Sequence, residues 1–528
     1  MKKFLITFFV LLTFNFFVFS QTTTDSIITE ENLIQNETTT IEDSFKYKIV
    51  HVEYDIDGRT REYALNKNLD IRINKIFNSK TQFDEYIKYL RHDLTNQRVL
   101  ETATLEYTEG PVDENKVIPV SLFIQAEDTW NLLPVPYTKY DSNNGFEFKL
   151  KLKDYNFFGS MEPLDFQISY SQENEGEDHL LGMGFNFEIP FSMWIIDSTW
   201  NIDVGIDYTL GNDKPEFDFS TGIGLAYPLG NCTLKLDFQQ SVQQDLDYEN
   251  TGDELYFTES VELSVPFVLF RSSNLLGNIS ITPYISFDYD WDLDGVNHID
   301  LLGPTFGYGI SFNLGKFDWY SNFRRGFTFN LTQHLGHNLE KFNGKNDKFK
   351  PKLSGELKGF YSTNYVGFNS RIYGFTYFGM EQLSKDNIGS RLRGVRDSKN
   401  YNSRQIETSS AIIFNFDIPV KIVQTDWCGF GKAIFNKEMP NWFSIFDFEL
   451  QISPFIDIAL INNTFTDTMF SPKDGLYGGG IEVIVHPTKW RSISVRGSLG
   501  LDLGQILFES EWRSGPKQEI EIGIGLHY

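Results

Sequence analysis

The sequence predicts a mainly-β protein: a 16-stranded antiparallel transmembrane β-barrel preceded by a small β-α-α-β-β domain. Three observations carry this. From about residue 129 to the end, apolar and polar residues alternate in segments of ten or more residues, longer than the usual strand of a globular sheet. The composition is rich in aromatics and glycine (49 Phe, 25 Tyr, 9 Trp, 41 Gly), yet the mean hydropathy is only −0.30. No stretch after the N-terminus is long and apolar enough for a membrane helix, so a crossing must be made by strands.

The elements follow in chain order. MKKFLITFFVLLTFNFFVFS (1–20) has a basic start in Lys2 and Lys3 and an apolar run from Phe4 to Phe19. Val18 and Ser20 are small enough for cleavage before Gln21, which is the pattern of a secretory signal peptide. Residues 21–44 are rich in Thr, Glu and Asn and read as a disordered linker. Residues 45–128 mix periods. FKYKIVHVEYDI (45–56) is a strand, and 60–77 can form a helix. TQFDEYIKYLRHDL (81–94) is a better helix, with Phe83, Tyr86, Ile87, Leu90 and Leu94 on one face and a capping-box pattern in Thr81 and Asp84. Strands over 98–109 and 116–127 close the unit.

Residues 129–528 form the barrel. In 198–211, Trp200, Ile202, Val204, Ile206 and Tyr208 share one face and Asn201, Asp203 and Asp207 the other; 277–290 and 490–504 repeat the pattern. Sixteen to eighteen such segments fit into the stretch. Single-chain barrels favour even counts, and 16 is the expected number. Stacked soluble sandwiches would require shorter strands. The chain closes on QEIEIGIGLHY, in which Ile520, Ile522, Ile524, Leu526 and Tyr528 alternate to the last residue, a C-terminal strand signal. The segment 423–443, with Trp427, Phe430, Phe435, Trp442 and Phe443, is either interfacial or a turn folded over the barrel rim.

Charge and motif content exclude other classes. A formal charge of −26 argues against nucleic acid as a partner, and two cysteines make no disulfide framework. There is no HExxH, no G-x-S-x-G and no phosphate loop, so neither an enzyme nor a cofactor is expected. Asp290, Asp292 and Asp294 imitate the start of a calcium loop, but Leu301 stands where a Glu is needed; this is a weak Ca²⁺ candidate beside the plainer reading of an acidic loop.

One segment breaks the alternation: NIGSRLRGVRDSKNY (387–401), irregular and cationic. Its LRGVRD (392–397) resembles the V-R-G-F/Y motif of the BamA/TamA superfamily of outer-membrane assembly barrels, the bacterial surface antigens. DYNFFG (154–159) is similar to the family's "d-N-L-f-G" turn, SPFIDIALI (453–461) to its "F-x-D-x-G" strand, and the 45–128 unit to its POTRA domain. Val395 stands where the family has an aromatic, and Ala459 where it has Gly. RRGFTF (324–329) and VRGS (495–498) carry similar letters but are strand-internal.

The resemblance implies that Arg393 and Gly394 belong to a loop folded into the lumen, facing the strand with Phe455 and Asp457. Asp457 is then placed to accept a bidentate bond from Arg393, while Gly394 permits a tight turn. It further implies an outer-membrane protein with a periplasmic POTRA-like domain. Its partners would be membrane lipids and unfolded or extended polypeptides, with periplasmic chaperones or accessory lipoproteins besides. Its role would be to assemble, insert or translocate polypeptides. The alternatives are a two-partner secretion transporter for one secreted protein, or a passive porin or adhesin that keeps only the barrel.

Overall fold

The structure is a computed structural model. It describes residues 45–528 apart from single positions and short stretches, chiefly 142–144, 173–178, 245–254, 272–276, 292–303, 340–348, 379–383, 397–405, 436–439 and 508–511. The expected signal peptide and linker (1–44), and Asp292 and Asp294 of the calcium candidate, lie outside the described residues.

Residues 45–128 fold as β1 (Lys46–Asp57), α1 (Glu62–Leu69), β2 (Ile76–Phe77), α2 (Lys80–Asn96), β3 (Leu100–Glu109) and β4 (Val117–Asp128). The sheet order is β2-β1-β4-β3, with β1 parallel to β4 and β3 antiparallel to it. The helix expected over 60–77 stops at Leu69, and Asn74, in the left-handed region at φ 68°, turns the chain into β2. The cap of α2 is Ser79 rather than Thr81: its side chain accepts from the Gln82 N–H at 3.2 Å. Phe83, Ile87, Leu90 and Leu94 then face the sheet and pack on Ile49, Val120, Leu122 and Ile124. Each such burial contributes roughly 1.5–3 kcal/mol.

From Leu132 the chain is a barrel. Twenty-one strand segments form one closed antiparallel ladder. Two successive pairs, Leu255–Ser264 with Phe267–Arg271 and Ser410–Asp417 with Val420–Gln424, each run between the same two neighbours. They are single staves broken beside Pro266 and Pro419, which have no N–H to give the ladder. Thr468–Met469 is a two-residue flap on one strand. Setting these three aside, the described wall has 18 staves, not 16. Evenness permits both counts, and alternation alone cannot tell a broken stave from two.

The strands separate faces as their period demands. In Phe448–Asn463 the buried set is Glu449, Gln451, Ser453, Phe455, Asp457, Ala459, Ile461 and Asn463, while Ile452 and Ile456 point outward and are exposed. Outward Ile481, Leu499 and Ile520 are exposed as well. Exposed apolar residues recur around the wall, far beyond the patches of soluble monomers. Among the described residues no helix is long and apolar enough to cross a membrane.

The closing strand departs from expectation. It spans Gln518–Ile524 and ends at Gly525, whose φ of +86° turns the chain off the ladder. Leu526 and Tyr528 therefore do not continue the strand. Tyr528 swings to the lumen side. Its ring lies 4.8 Å from the Arg371 guanidinium, its hydroxyl donates to the Asn369 carbonyl at 3.1 Å, and Arg324 donates to its main-chain oxygen.

Candidate functional site in the barrel lumen

The loop from 378 to 409 joins strands Gly367–Tyr377 and Ser410–Asp417. Its described stretch 384–396 lies against the inner wall of the barrel. Asp386–Asn387 and Glu407–Thr408 pair at its base, and the Asn387 side chain accepts from the Gly389 and Ile406 N–H groups at 2.9 and 3.1 Å. Ile388, Leu392 and Val395 are fully buried against Phe375, Ala411, Ile413, Ala459, Ile461 and Leu476. The described part of the loop is thus held on the inner wall by apolar packing, and Val395 is fully buried in it.

Arg393, 1% exposed, sits where this packing ends. Its Nε and Nη2 donate to the two oxygens of Asp457 at 2.9 and 2.8 Å, and its main-chain N–H donates to Asp457 Oδ2 at 2.9 Å. Nη2 also reaches Asp417 at 2.7 Å, Nη1 lies 3.8 Å from Glu482, and the guanidinium stacks 3.8 Å from the Phe455 ring centroid. Asp457 further accepts from Asn415 at 2.7 Å. A planar fork matches this arrangement in a way an ammonium cannot. One cation answers three carboxylates, and Arg496, 3.2 Å from Glu482, shares the load.

Glycines let the loop backbone touch the wall. The Gly394 N–H donates to Glu519 at 2.8 Å, and Arg396 pairs with the same carboxylate at 3.0 Å. Gly394 has φ +80°, and a Cβ there would stand 2.6 Å from the Leu501 nitrogen. A Cβ on Gly478 would stand 2.2 Å from the Arg393 carbonyl oxygen, and one on Gly500 2.6 Å from the Gly394 nitrogen. The wall residues Asp417, Glu482, Glu519, Gly478 and Gly500 were not singled out from sequence. The Gly478–Gly480 run inside a strand was their readable signal, since glycine in a strand marks close backbone approach. RRGFTF and VRGS lie within strands Phe323–Asn338 and Val495–Asp502.

A second set of contacts seats the N-terminal unit on one rim. Asn156, fully buried, donates to Thr60 and Asp128 at 2.7 and 3.1 Å, and its Oδ1 accepts from the Met161 N–H. Gly159 (φ +74°) receives the Arg61 N–H at 2.9 Å, where a Cβ would collide with the Arg59 carbonyl. The DYNFFG turn therefore serves as a seat. Farther round the rim, Arg98 stacks 4.0 Å over Trp319 and donates to Asn322 and to the Arg491 carbonyl. Burial, with Arg491 and Arg324 nearby, pushes the Arg98 pKa down to about 9. His92 lies 2.7 Å from Asp318, and Lys489 2.6 Å from Glu101. These contacts fall at the ends of three separate strand pairs: Gly145–Asp154 with Leu164–Gln172, Thr305–Tyr320 with Phe323–Asn338, and Leu476–Pro487 with Val495–Asp502. Among the described residues no three His, Cys, Asp or Glu side chains are arranged to hold a metal ion.

No family model and no curated protein sequence matches the chain. Among solved structures it is similar to CdiB from Acinetobacter baumannii, with a TM-score of 0.47 and 12% identity over 90% of this chain and 73% of that one. It is similar to CdiB from Escherichia coli with a TM-score of 0.42 and 11% identity, over 93% and 92% of the two chains. It is also similar to BamA from Haemophilus ducreyi lacking POTRA domains 1–3, with a TM-score of 0.33 and 10% identity, over 90% and 84%.

Proposed function

We propose that the chain is an outer-membrane barrel that inserts or translocates polypeptides, with its N-terminal unit on the periplasmic side. One observation carries this reading. The loop lock binds Asp417, Asp457, Glu482 and Glu519, which stand on four of the last five staves, and touches none of the first staves among the described residues. The C-terminal side of the wall is braced from within. The seam follows immediately, and its last strand, Gln518–Ile524, has seven residues where strands Thr305–Tyr320 and Phe323–Asn338 have 16. A short ladder beside a braced wall favours opening at that seam. The occupied lumen, in turn, does not suit a passive pore. An extended substrate would first add to an edge of the N-terminal sheet, where β3 is an edge strand among the described residues.

The test is depletion of the protein followed by profiling of the outer-membrane and secreted proteomes. Broad loss of barrels supports assembly, and loss of one secreted polypeptide supports a two-partner secretion role. Loss of neither overturns both and leaves a porin or adhesin.

A further inference from the structure

The connection between strands Val420–Gln424 and Phe448–Asn463 lies on the rim that carries the N-terminal unit, where the other connections are short. It folds as α3 (Trp427–Phe435) followed by a 3₁₀ turn, Asn441–Phe446. Trp427, Phe430 and Ile434, at i, i+3 and i+7, share one face of α3, and all three are exposed. In the 3₁₀ turn Trp442, Ile445 and Phe446 are exposed too; Trp442, Phe430, Ile434 and Phe446 each keep more than half of their surface free. This inverts a soluble surface turn, which hides such side chains and shows polar ones.

The two ends of this connection are nevertheless tied together. The Trp427 N–H donates to Asp447 Oδ1 at 2.7 Å, its indole N–H to the Phe446 carbonyl at 2.9 Å, and the Thr488 N–H to the Asp447 carbonyl at 2.8 Å. With the indole N–H satisfied internally, the Trp427 ring shows an apolar body. The patch also continues a larger surface. Ile422 and Val423 on the strand leading into it, and Ile452 and Ile456 on the strand leaving it, point outward and are exposed. Outward apolar residues of both flanking strands thus stand beside α3 and the 3₁₀ turn in the chain.

We propose that this segment is a membrane-interface anchor, lying flat in the headgroup region of the leaflet on the side of the N-terminal unit. The occupant is the lipid surface itself. Aromatic rings with an apolar body settle at that depth, and a fixed amphipathic turn binds in proportion to the apolar area it buries. The anchor is attached to the braced C-terminal side of the wall, through the strand bearing Asp457, and so holds that side in the leaflet while the seam moves. The proposal rests on the reading of the barrel as membrane-spanning.

The experiment uses the full chain, with Cys232 and Cys428 replaced by Ala, refolded into phosphatidylcholine vesicles free of other proteins. An environment-sensitive fluorophore is attached at Ile434→Cys or, separately, at Ile456→Cys on the barrel wall. Vesicles carry a spin label either on the headgroup or deep on the acyl chain. Quenching at position 434 by headgroup label should exceed that by deep label about twofold, with position 456 favouring the deep label. Phe430→Ser combined with Trp442→Ser should lower the quenching at 434 by at least about half while leaving 456 unchanged. Quenching at 456 with none at 434 overturns the anchor and points to a protein as the occupant of the patch. Quenching at neither position overturns the membrane-spanning reading, and the anchor with it.

Discussion

Replacing Arg393 by Ala tests the lumen lock most directly. The guanidinium is fully desolvated, bidentate on Asp457 and bonded again to Asp417. Its removal leaves Asp457, Asp417 and Glu482 facing one another in a closed site. Breaking a buried pair from one side costs about 3–5 kcal/mol, because the remaining charge is uncompensated. Asp457→Ala should cost less, since Arg393 keeps Asp417 and Glu482. In the double variant the losses should fall short of their sum by about 2–3 kcal/mol, the upper part of the range for residues in one network. Arg393→Lys should recover less than half of the loss, because an ammonium cannot make both Asp457 bonds while reaching Asp417. The assay is urea unfolding of the barrel in lipid vesicles, with heat-resistant migration on gels as a second readout. Losses that add within about 0.5 kcal/mol would falsify the partnership and leave apolar packing as what holds the loop.

Three further outcomes follow from the same geometry. Gly478→Ala and Gly500→Ala should each cost about 1–3 kcal/mol and expose the loop to protease, because the new Cβ meets loop backbone that cannot yield; Gly497→Ala, whose Cβ has its nearest neighbour at 4.0 Å, should stay within about 0.5 kcal/mol, and equal effects at all three sites would refute the close approach. Arg98→Ala should speed amide exchange in α2 and β3 without changing barrel stability, and Arg98→Lys should not restore it, since the planar stack on Trp319 is lost; unchanged exchange counts against the seat. Tyr528→Phe should cost about 1 kcal/mol for the lost bond to Asn369, and Tyr528→Ala more, through the stack on Arg371; two silent variants would mean that the tail does not occupy the lumen.

Much of this protein is written in its local periods. Two-residue alternation marks the strands and assigns each side chain to a face. From that alone Asp457 and Phe455 share one face, and the irregular 387–401 segment stands out as something other than wall. The 3.6-residue period places Phe83, Ile87, Leu90 and Leu94 on the covered face of α2. What the chain could not show locally is who stands opposite whom. Asp417, Asp457, Glu482 and Glu519 lie on different strands, and they converge on one loop only because the ladder, 18 staves among the described residues, closes with a particular register. The number of staves belongs to the same category, since a proline-broken stave and two short strands look alike until their neighbours are known. Asn156 and Gly159 likewise read as an ordinary turn until Thr60, Asp128 and Arg59 come to meet them. The alternation that runs to Tyr528 is overruled by a left-handed Gly525 and by Arg324 and Arg371 waiting inside the barrel. Alternation is a property of neighbours in the chain, whereas closure, register and lumen contacts are properties of neighbours in space, and only the folded barrel decides those.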